Sequence, residues 1–576
     1  MKYEIYTRPR SIILLFLLLA LIAPSHIIAN DRVVTIDEPW WVISGSNYYY
    51  ALTHRDFSNT IYDYHPAVTT TWVVTAGMLS YFPQYRAYGQ GYFDVRKPHF
   101  EEFLRENGKE ALTLVRNSRL FQSLIILGMA LTAFFFLQFL VGQTSAFLAI
   151  ALFMTAPYFL GHARLLNHEG MLSVFVLVSF LGMQVYLNKG RKWTYLLVSG
   201  AAFGLAQLTK SSSIVVAGLV GLMLFVTLFK RDEKSIGRKT LEAGKVFALW
   251  LISAALVYVI LWPGMWVAPD KMLAGVYGNA FSYAFQGARL EVVVEEVQSS
   301  GPSLVLTLRE LAGYVRGWAA LSTPVTWTGF ALAVFMIASK DKERLPAPVK
   351  STLVYLMLLG GLFILLFSVA RGRNSLHYIL SSYVCFDVVA GIGWGYALLR
   401  VRERLGGWKH VYAPALMIGV LTLIQIGSGI PHAPYYFTYH NPIINGVGTS
   451  GYGEGYDQAA DYLMQKTNAH GLRAYVYNGM GTFSYFFEGE TLVFKRVHLL
   501  DDSFLEISAE LRSSDYLVMY SAVRTNHPET GKMFAVLEEY TEPEKIIFIK
   551  GLEYFRVYRV ADFPESMYAA LEGMQR

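Results

Sequence analysis

Acids and bases stand in this sequence at a few places where they can do chemistry. Asp37 and Glu38 are adjacent in DEPWW (37–41), with Trp40 and Trp41 behind them, just beyond an apolar N-terminal run. A carboxylate at such a point can act as a general base on an acceptor hydroxyl. Lys210 in LTKSSS, and Arg371 and Arg373 in RGRNSLHYIL, are cations suited to hold a phosphate and stabilise it as a leaving group. Glu169, with His168 beside it and Arg164 nearby in ARLLNHEG, supplies a further acid. His65 in DYHPAVTTTW and His377 in SLHYIL add polar rings, and the Trp and Tyr residues of 40–50 add aromatic faces that suit a sugar or a lipid. Together these describe a transferase that takes a group from a membrane-borne, phospholipid-like donor.

Each residue also has a structural reading. Thr35 or Asp37 ahead of Glu38-Pro39 is a helix start. Glu169 can be a surface acid beside a helix start, and His65 a satisfied loop histidine. Lys210 can snorkel to the headgroups, and Arg371 and Arg373 can meet lipid phosphate. The aromatic cluster at 40–50 fits an interfacial belt. Glu101, Glu102 and Glu106 read as a solvated helix face.

The elements that must position these residues are set by composition. Of 576 residues 54% are hydrophobic and 16% charged, against about 25% charged in soluble domains. With a mean hydropathy of +0.34, the chain reads as a polytopic α-helical membrane protein. The net charge of +6 needs no nucleic acid, since Lys and Arg concentrate in cytoplasmic loops. The single cysteine, Cys385, excludes an intrachain disulfide and a cysteine metal cluster. No Gly-rich phosphate loop or short repeat is present.

Eleven apolar runs are long enough to be candidate spans, near 11–29, 118–139, 144–160, 170–187, 194–209, 211–229, 246–262, 321–338, 351–369, 376–399 and 411–428. The first also resembles a signal peptide, but its end HIIAN is a poor cleavage site and a retained helix is expected. With the N-terminus inside, NKGRK, KRDEKSIGRKTLEAGK, SKDKERLPAPVK and RVRERLGGWKH fall inside and are rich in Lys and Arg. Of the short outside loops only RGRNS breaks this alternation. The expected domains are a transmembrane module over 1–429, with external loops 30–117 and 263–320, and an extracytoplasmic α/β domain over 430–576. The second loop holds an amphipathic run, PDKMLAGVYGNAFSYAFQ. In the tail, EGYDQAADYLMQK has helical spacing, and LRAYVYN, SDYLVMYSA and EKIIFIK read as strands. The candidate acids and bases then gather at the outer membrane face.

The motifs DEPWW, YHPAVTTTW (64–72), ARLLNHEGMLSVFVL (163–177), FGLAQLTKSSS (203–213), RGRNSLHYILSSYVCFDVVAGIG (371–393) and PYYFTYHNPIING with GYGEGYDQAADYL (434–463) resemble the GT-C glycosyltransferases that use polyprenyl-phosphate sugars, in the branch of the protein O-mannosyltransferases and the aminoarabinose transferases. The resemblance spans nearly the whole chain. It implies a GT-C-like bundle of about 11 helices here. It implies Asp37 as catalytic base with Glu38 beside it, Glu169 as a second catalytic acid, and Lys210, Arg371 and Arg373 at the donor phosphate. Glu169 stands where the family usually has Asp, and His65-Pro66-Ala67 replaces a Lys-Pro-Pro type motif. His65, His168, His377, Trp40 and Trp41 are assigned to substrate. No cofactor is certain, and a divalent metal stays an alternative with no ligands assigned.

The implied reaction moves a hexose, mannose as first choice, from a polyprenyl-phosphate donor to a hydroxyl of a protein, lipid or glycan, by a single inverting displacement. It takes place at the extracytoplasmic face of a cell membrane. A transporter or flippase of lipid-linked sugars is the alternative, though such proteins tend to carry internal repeats and midplane sites. A membrane-anchored binding protein is the other. The tail either selects the acceptor or packs against the external loops.

Overall fold

The computed structural model describes residues 7–28, 31–88, 91–95, 99–229, 235–286, 304–339, 345–370, 375–405, 409–444, 451–495, 498–499, 504–524 and 528–574. A helix meets each expected span. Eight helices are long and apolar enough to cross a membrane: Arg8–Ile27, Ala111–Val141, His168–Asn188, Ser211–Leu228, Ile236–Leu261, Ala347–Val369, Leu376–Arg404 and Tyr412–His432. Helix Trp193–Thr209 has 17 residues. Of the remaining two candidates, 144–160 is bent within itself, and 321–338 starts at a bend whose other arm, Leu304–Leu321, lies in the expected external loop. Gln143–Met154 turns by 65° into Pro157–Ala163, and Leu304–Leu321 turns by 118° into Pro324–Ala338. Proline is the cause in both: it lacks the N–H a continuing helix needs and suits the first turn of a new one. At the second bend the Thr323 hydroxyl also caps the new helix by accepting from the Thr326 N–H at 3.2 Å. The chain is thus a multi-pass helical membrane protein.

Small residues set how closely the helices pack. Cβ atoms on Gly200 and Gly204 would lie 2.5 Å from the carbonyl oxygens of Trp250 and Ala254 in helix Ile236–Leu261. Gly391 and Gly395 likewise leave no room against Ala149 and Ser145 of helix Gln143–Met154. Glycines four apart on one face let backbones approach directly in a membrane, where helices gain little by hiding apolar surface from one another. The run PDKMLAGVYGNAFSYAFQ is helical almost throughout, over Pro269–Leu273, a π turn at Ala274–Gly278 and Asn279–Gln286. It buries Met272 and Val276 and exposes Leu273, Phe281 and Phe285.

The chain divides into two compact units. The first comprises Met1–Ile28, Tyr48–Val73 and Leu120–Asn445; the second comprises Ala29–Asn47, Val74–Arg119 and Gly446–Arg576. The second unit holds a five-stranded sheet of β1 (Arg473–Tyr477), β2 (Glu490–Phe494), β3 (Tyr516–Tyr520), β4 (Lys545–Ile549) and β5 (Leu552–Arg559), in the order β2-β1-β3-β5-β4. β1 runs parallel to β2 and β3, while β5 is antiparallel to β3 and β4. The three strands expected from sequence are β1, β3 and β4. β4 and β5 are joined through Lys550 and Gly551, both at positive φ (55° and 78°), as a tight two-residue hairpin requires. Helix Tyr456–Met464 buries Tyr456, Ala459, Ala460 and Leu463, as its spacing predicts.

Glu101 departs from expectation. Glu102 and Glu106 are exposed, but Glu101 is buried, and its carboxylate accepts from the Ser484 hydroxyl at 2.5 Å. It lies on the helix His99–Glu106 beside Leu104, on the face that carries Phe100 and Phe103 into the interior. Burial pushes its carboxyl from 4.5 up to about 7, against the lowering effect of Ser484. A raised folded-state pKa gives stability that is full below about 4.5 and lost as pH rises through about 7. Glu101→Gln keeps an acceptor for Ser484 and removes the charge. The variant is expected to gain on wild type by about 3 kcal/mol between pH 5 and 8. Thermal unfolding of the two full-length proteins across that range checks it, and a pH-independent difference refutes it.

Candidate active site

In the first unit, local signals place two chain ends together. Helix His168–Asn188 starts at Asn167, whose side chain accepts from the Glu169 N–H at 3.1 Å. A carboxylate in a first helical turn is favoured by the helix dipole. Residues 189–192 reverse the chain, and helix Trp193–Thr209 packs back along it, with Gly182 against Ser199 and the Ser199 hydroxyl donating to the Ser179 carbonyl at 2.6 Å. Lys210 ends that helix in an extended conformation, φ −157°, where a cation is favoured. An antiparallel hairpin of this kind sets its first and last residues side by side. Lys210 Nζ accordingly donates to Glu169 Oε1, with side-chain exposures of 3% and 2%.

Other segments close around this pair. The Tyr378 ring lies beneath Lys210, its centroid 4.1 Å from Nζ, delivered by the turn Leu376–Ile379. His168 Nε2 lies 3.6 Å from the same Glu169 oxygen. The His65-Pro66-Ala67 segment is tied to the end of the hairpin, because the Ala67 N–H donates to the Thr209 carbonyl at 3.2 Å and the Thr69 and Thr209 hydroxyls pair at 2.8 Å. That brings the His65 ring within 5.0 Å of His168, centre to centre. Tyr64, its ring 4.0 Å from that of His65 and tilted by 47°, meets Tyr283 of the amphipathic segment at 4.5 Å. His377 lies 5.6 Å from His162, which Asn167 approaches at 3.4 Å. His65, His168, Glu169, Lys210 and His377 therefore share one neighbourhood. Arg164 has a different position: its guanidinium donates to the carbonyls of Ser25 and Ile28, at the end of the first helix. Arg371 and Arg373 lie outside the described residues.

In the second unit, Thr35-Ile36-Asp37-Glu38 opens the helix Glu38–Thr53. Glu38 Oε2 accepts from the Thr35 N–H at 2.8 Å, the reach-back half of a capping box. The same fully buried carboxylate takes Arg119 on both oxygens, at 2.6–2.9 Å, while Arg119 also donates to the Val33 carbonyl at 2.5 Å. Trp41 is buried beside it and Trp40 half-buried. Asp37 is the exposed acid, and its Oδ2 accepts from the Tyr452 hydroxyl at 2.9 Å. Of the three acids expected to be catalytic, two are buried in ion pairs and one faces outward.

Arg119, Tyr378 and Tyr452 escaped the sequence reading. Arg119 had a signal, as a cation at the edge of an apolar run is expensive unless it is paired. Tyr378 stands beside a singled-out histidine. Tyr452 had none. Among the described residues no cluster of three or more His, Cys, Asp and Glu is arranged to hold a metal ion.

The family model described as dolichyl-phosphate-mannose-protein mannosyltransferase matches residues 115–258. The likeness read from the motifs thus has an independent counterpart over the stretch that carries Arg119, Glu169 and Lys210. No curated protein matches the chain. Among solved structures, ArnT from Cupriavidus metallidurans bound to undecaprenyl phosphate is similar at 12% identity and TM-score 0.48, over 97% of this chain and 100% of that one. The Archaeoglobus fulgidus oligosaccharyltransferase in the apo form is similar at 12% identity and TM-score 0.46, over 92% and 71%. The S. cerevisiae protein O-mannosyltransferase Pmt1-Pmt2 complex bound to the sugar donor is similar at 18% identity and TM-score 0.36, over 47% and 35%. These three overlaps all fall below a TM-score of 0.5.

Proposed function

We propose that this chain is a membrane glycosyltransferase that moves a hexose, mannose as the first choice, from a polyprenyl-phosphate donor to an acceptor hydroxyl. The observation that carries the reading is the family match over 115–258, which takes in the buried Lys210–Glu169 pair. An ammonium has three donor hydrogens, so Glu169 and a donor phosphate oxygen can share Lys210. Arg371 and Arg373 add charge for the same phosphate. Glu169 is then a positioning group for Lys210, and Glu38, held by Arg119, fixes the start of the helix after Asp37.

Asp37 takes the proton of the acceptor hydroxyl. The acceptor oxygen forms a bond to the anomeric carbon, the bond from that carbon to the phosphate oxygen breaks, and the polyprenyl phosphate departs with the electron pair. One displacement inverts the anomeric carbon. The leaving phosphate is already a stable anion and needs no proton from a protein acid. His65, His168 and His377, with Trp40 and Trp41, are assigned to sugar and acceptor. The Lys- and Arg-rich loops, which the positive-inside rule assigns to the cytoplasm, support an extracytoplasmic site for this chemistry.

Purified protein supplied with a short-chain polyprenyl-phosphate mannose and a mixed panel of hydroxyl acceptors should release polyprenyl phosphate and give a product of inverted anomeric configuration by NMR. Turnover with another lipid-linked sugar alone would correct the sugar. No turnover with any member of a donor panel would refute the reading.

A further inference from the structure

The residue that touches Asp37 comes from the tail. Tyr452 belongs to GYGEGYD, more than four hundred residues along the chain from the acid, and both lie in the second unit. The tyrosine is built into a clip. Its backbone N–H donates to Glu454 Oε2 at 2.7 Å, and that oxygen also accepts from the Tyr520 hydroxyl at 2.6 Å, at the end of β3. The Gly453 N–H donates to the Tyr520 oxygen at 3.0 Å. Gly453 has a φ of 113°, and a Cβ there would sit 3.0 Å from the Thr35 Cα and 3.1 Å from the Val34 carbonyl oxygen. The Ile36 N–H donates to the Tyr452 carbonyl at 3.4 Å. The sheet thus holds the clip, and the clip lies against the backbone that carries Asp37.

We propose that Tyr452 is a positioning residue for the base. Its hydroxyl donates to Asp37 Oδ2, fixes the carboxylate's rotation and stabilises its ionised form. This rests on the reading of Asp37 as base given above. A donor to a carboxylate favours the charged state, and its removal makes the group harder to ionise.

Tyr452→Phe keeps the ring and deletes the donor. It is expected to lower kcat about tenfold, the scale of one hydrogen bond to a charged group. The acid limb of its pH–rate profile should move to higher pH, with KM for the donor and the thermal melting unchanged. A merely structural tyrosine would shift the melting and leave the pH limb in place. Wild-type kcat and an unmoved limb in Tyr452→Phe, beside an inactive Asp37→Asn, would overturn this inference and leave the transferase reading standing. No transfer by wild type from any donor in the panel would overturn both.

Discussion

Asp37→Asn should lower sugar transfer by about 10²–10⁴-fold, the usual contribution of a positioned general base, without unfolding the protein. The side chain is exposed, so the change leaves no buried charge without its partner. The amide oxygen of Asn can still accept the Tyr452 hydroxyl that reaches Oδ2 at 2.9 Å in wild type. Geometry and volume are kept, and only basicity is lost. The rate of polyprenyl phosphate release per folded molecule, with wild type and variant matched by gel filtration, is the measurement. Equal rates would remove Asp37 from the mechanism. The same variant separates the three classes of function: a flippase or a tail-based binding protein would lose nothing.

The Lys210–Glu169 pair gives the second large effect, and a double change splits it into two parts. Lys210→Met leaves a carboxylate that is 2% exposed without its ammonium partner, although His168 lies 3.6 Å from it. Stranding one member of a buried pair costs about 3–5 kcal/mol, while replacing both by apolar groups of similar volume is often neutral. Lys210→Met should therefore shorten the protein's half-life at raised temperature, and Lys210→Met/Glu169→Met should restore most of it. Transfer should stay down by about 10²-fold or more in both, because both lack the ammonium proposed to meet the donor phosphate. A stable and fully active double variant would show that the lysine serves only the fold.

The helices were legible because each carries its own apolar run, and that information is local. The bends were not, although Pro157 and Pro324 mark them, because a hydropathy window averages across a proline. β1, β3 and β4 were legible from β-branched and aromatic residues. β2 and β5 begin with Glu490-Thr491 and Leu552-Glu553, a more polar pattern whose pairing is settled by neighbours far away in sequence. In the first unit the gathering of the candidate residues was legible: His65, His168, Glu169, Lys210 and His377 were selected as polar residues at helix ends, and hairpin geometry does gather helix ends. What could not be read was partnership. The sequence contains no sign that Glu38 would belong to Arg119, Asp37 to Tyr452 or Glu101 to Ser484, because each pair joins one of the early segments to a distant stretch.

The second unit is assembled from 29–47, 74–119 and 446–576, which orders events in time. A ribosome delivers the Asp37 segment more than four hundred residues before the Tyr452 clip. Throughout that interval Glu101 lacks its Ser484 partner, and the tyrosine that faces Asp37 has not been made. Long-range closures of this kind form late and slowly. A nascent chain stalled after helix Tyr412–His432 would hold its helices and still lack Tyr452, leaving Asp37 without the hydroxyl that meets it in the folded protein.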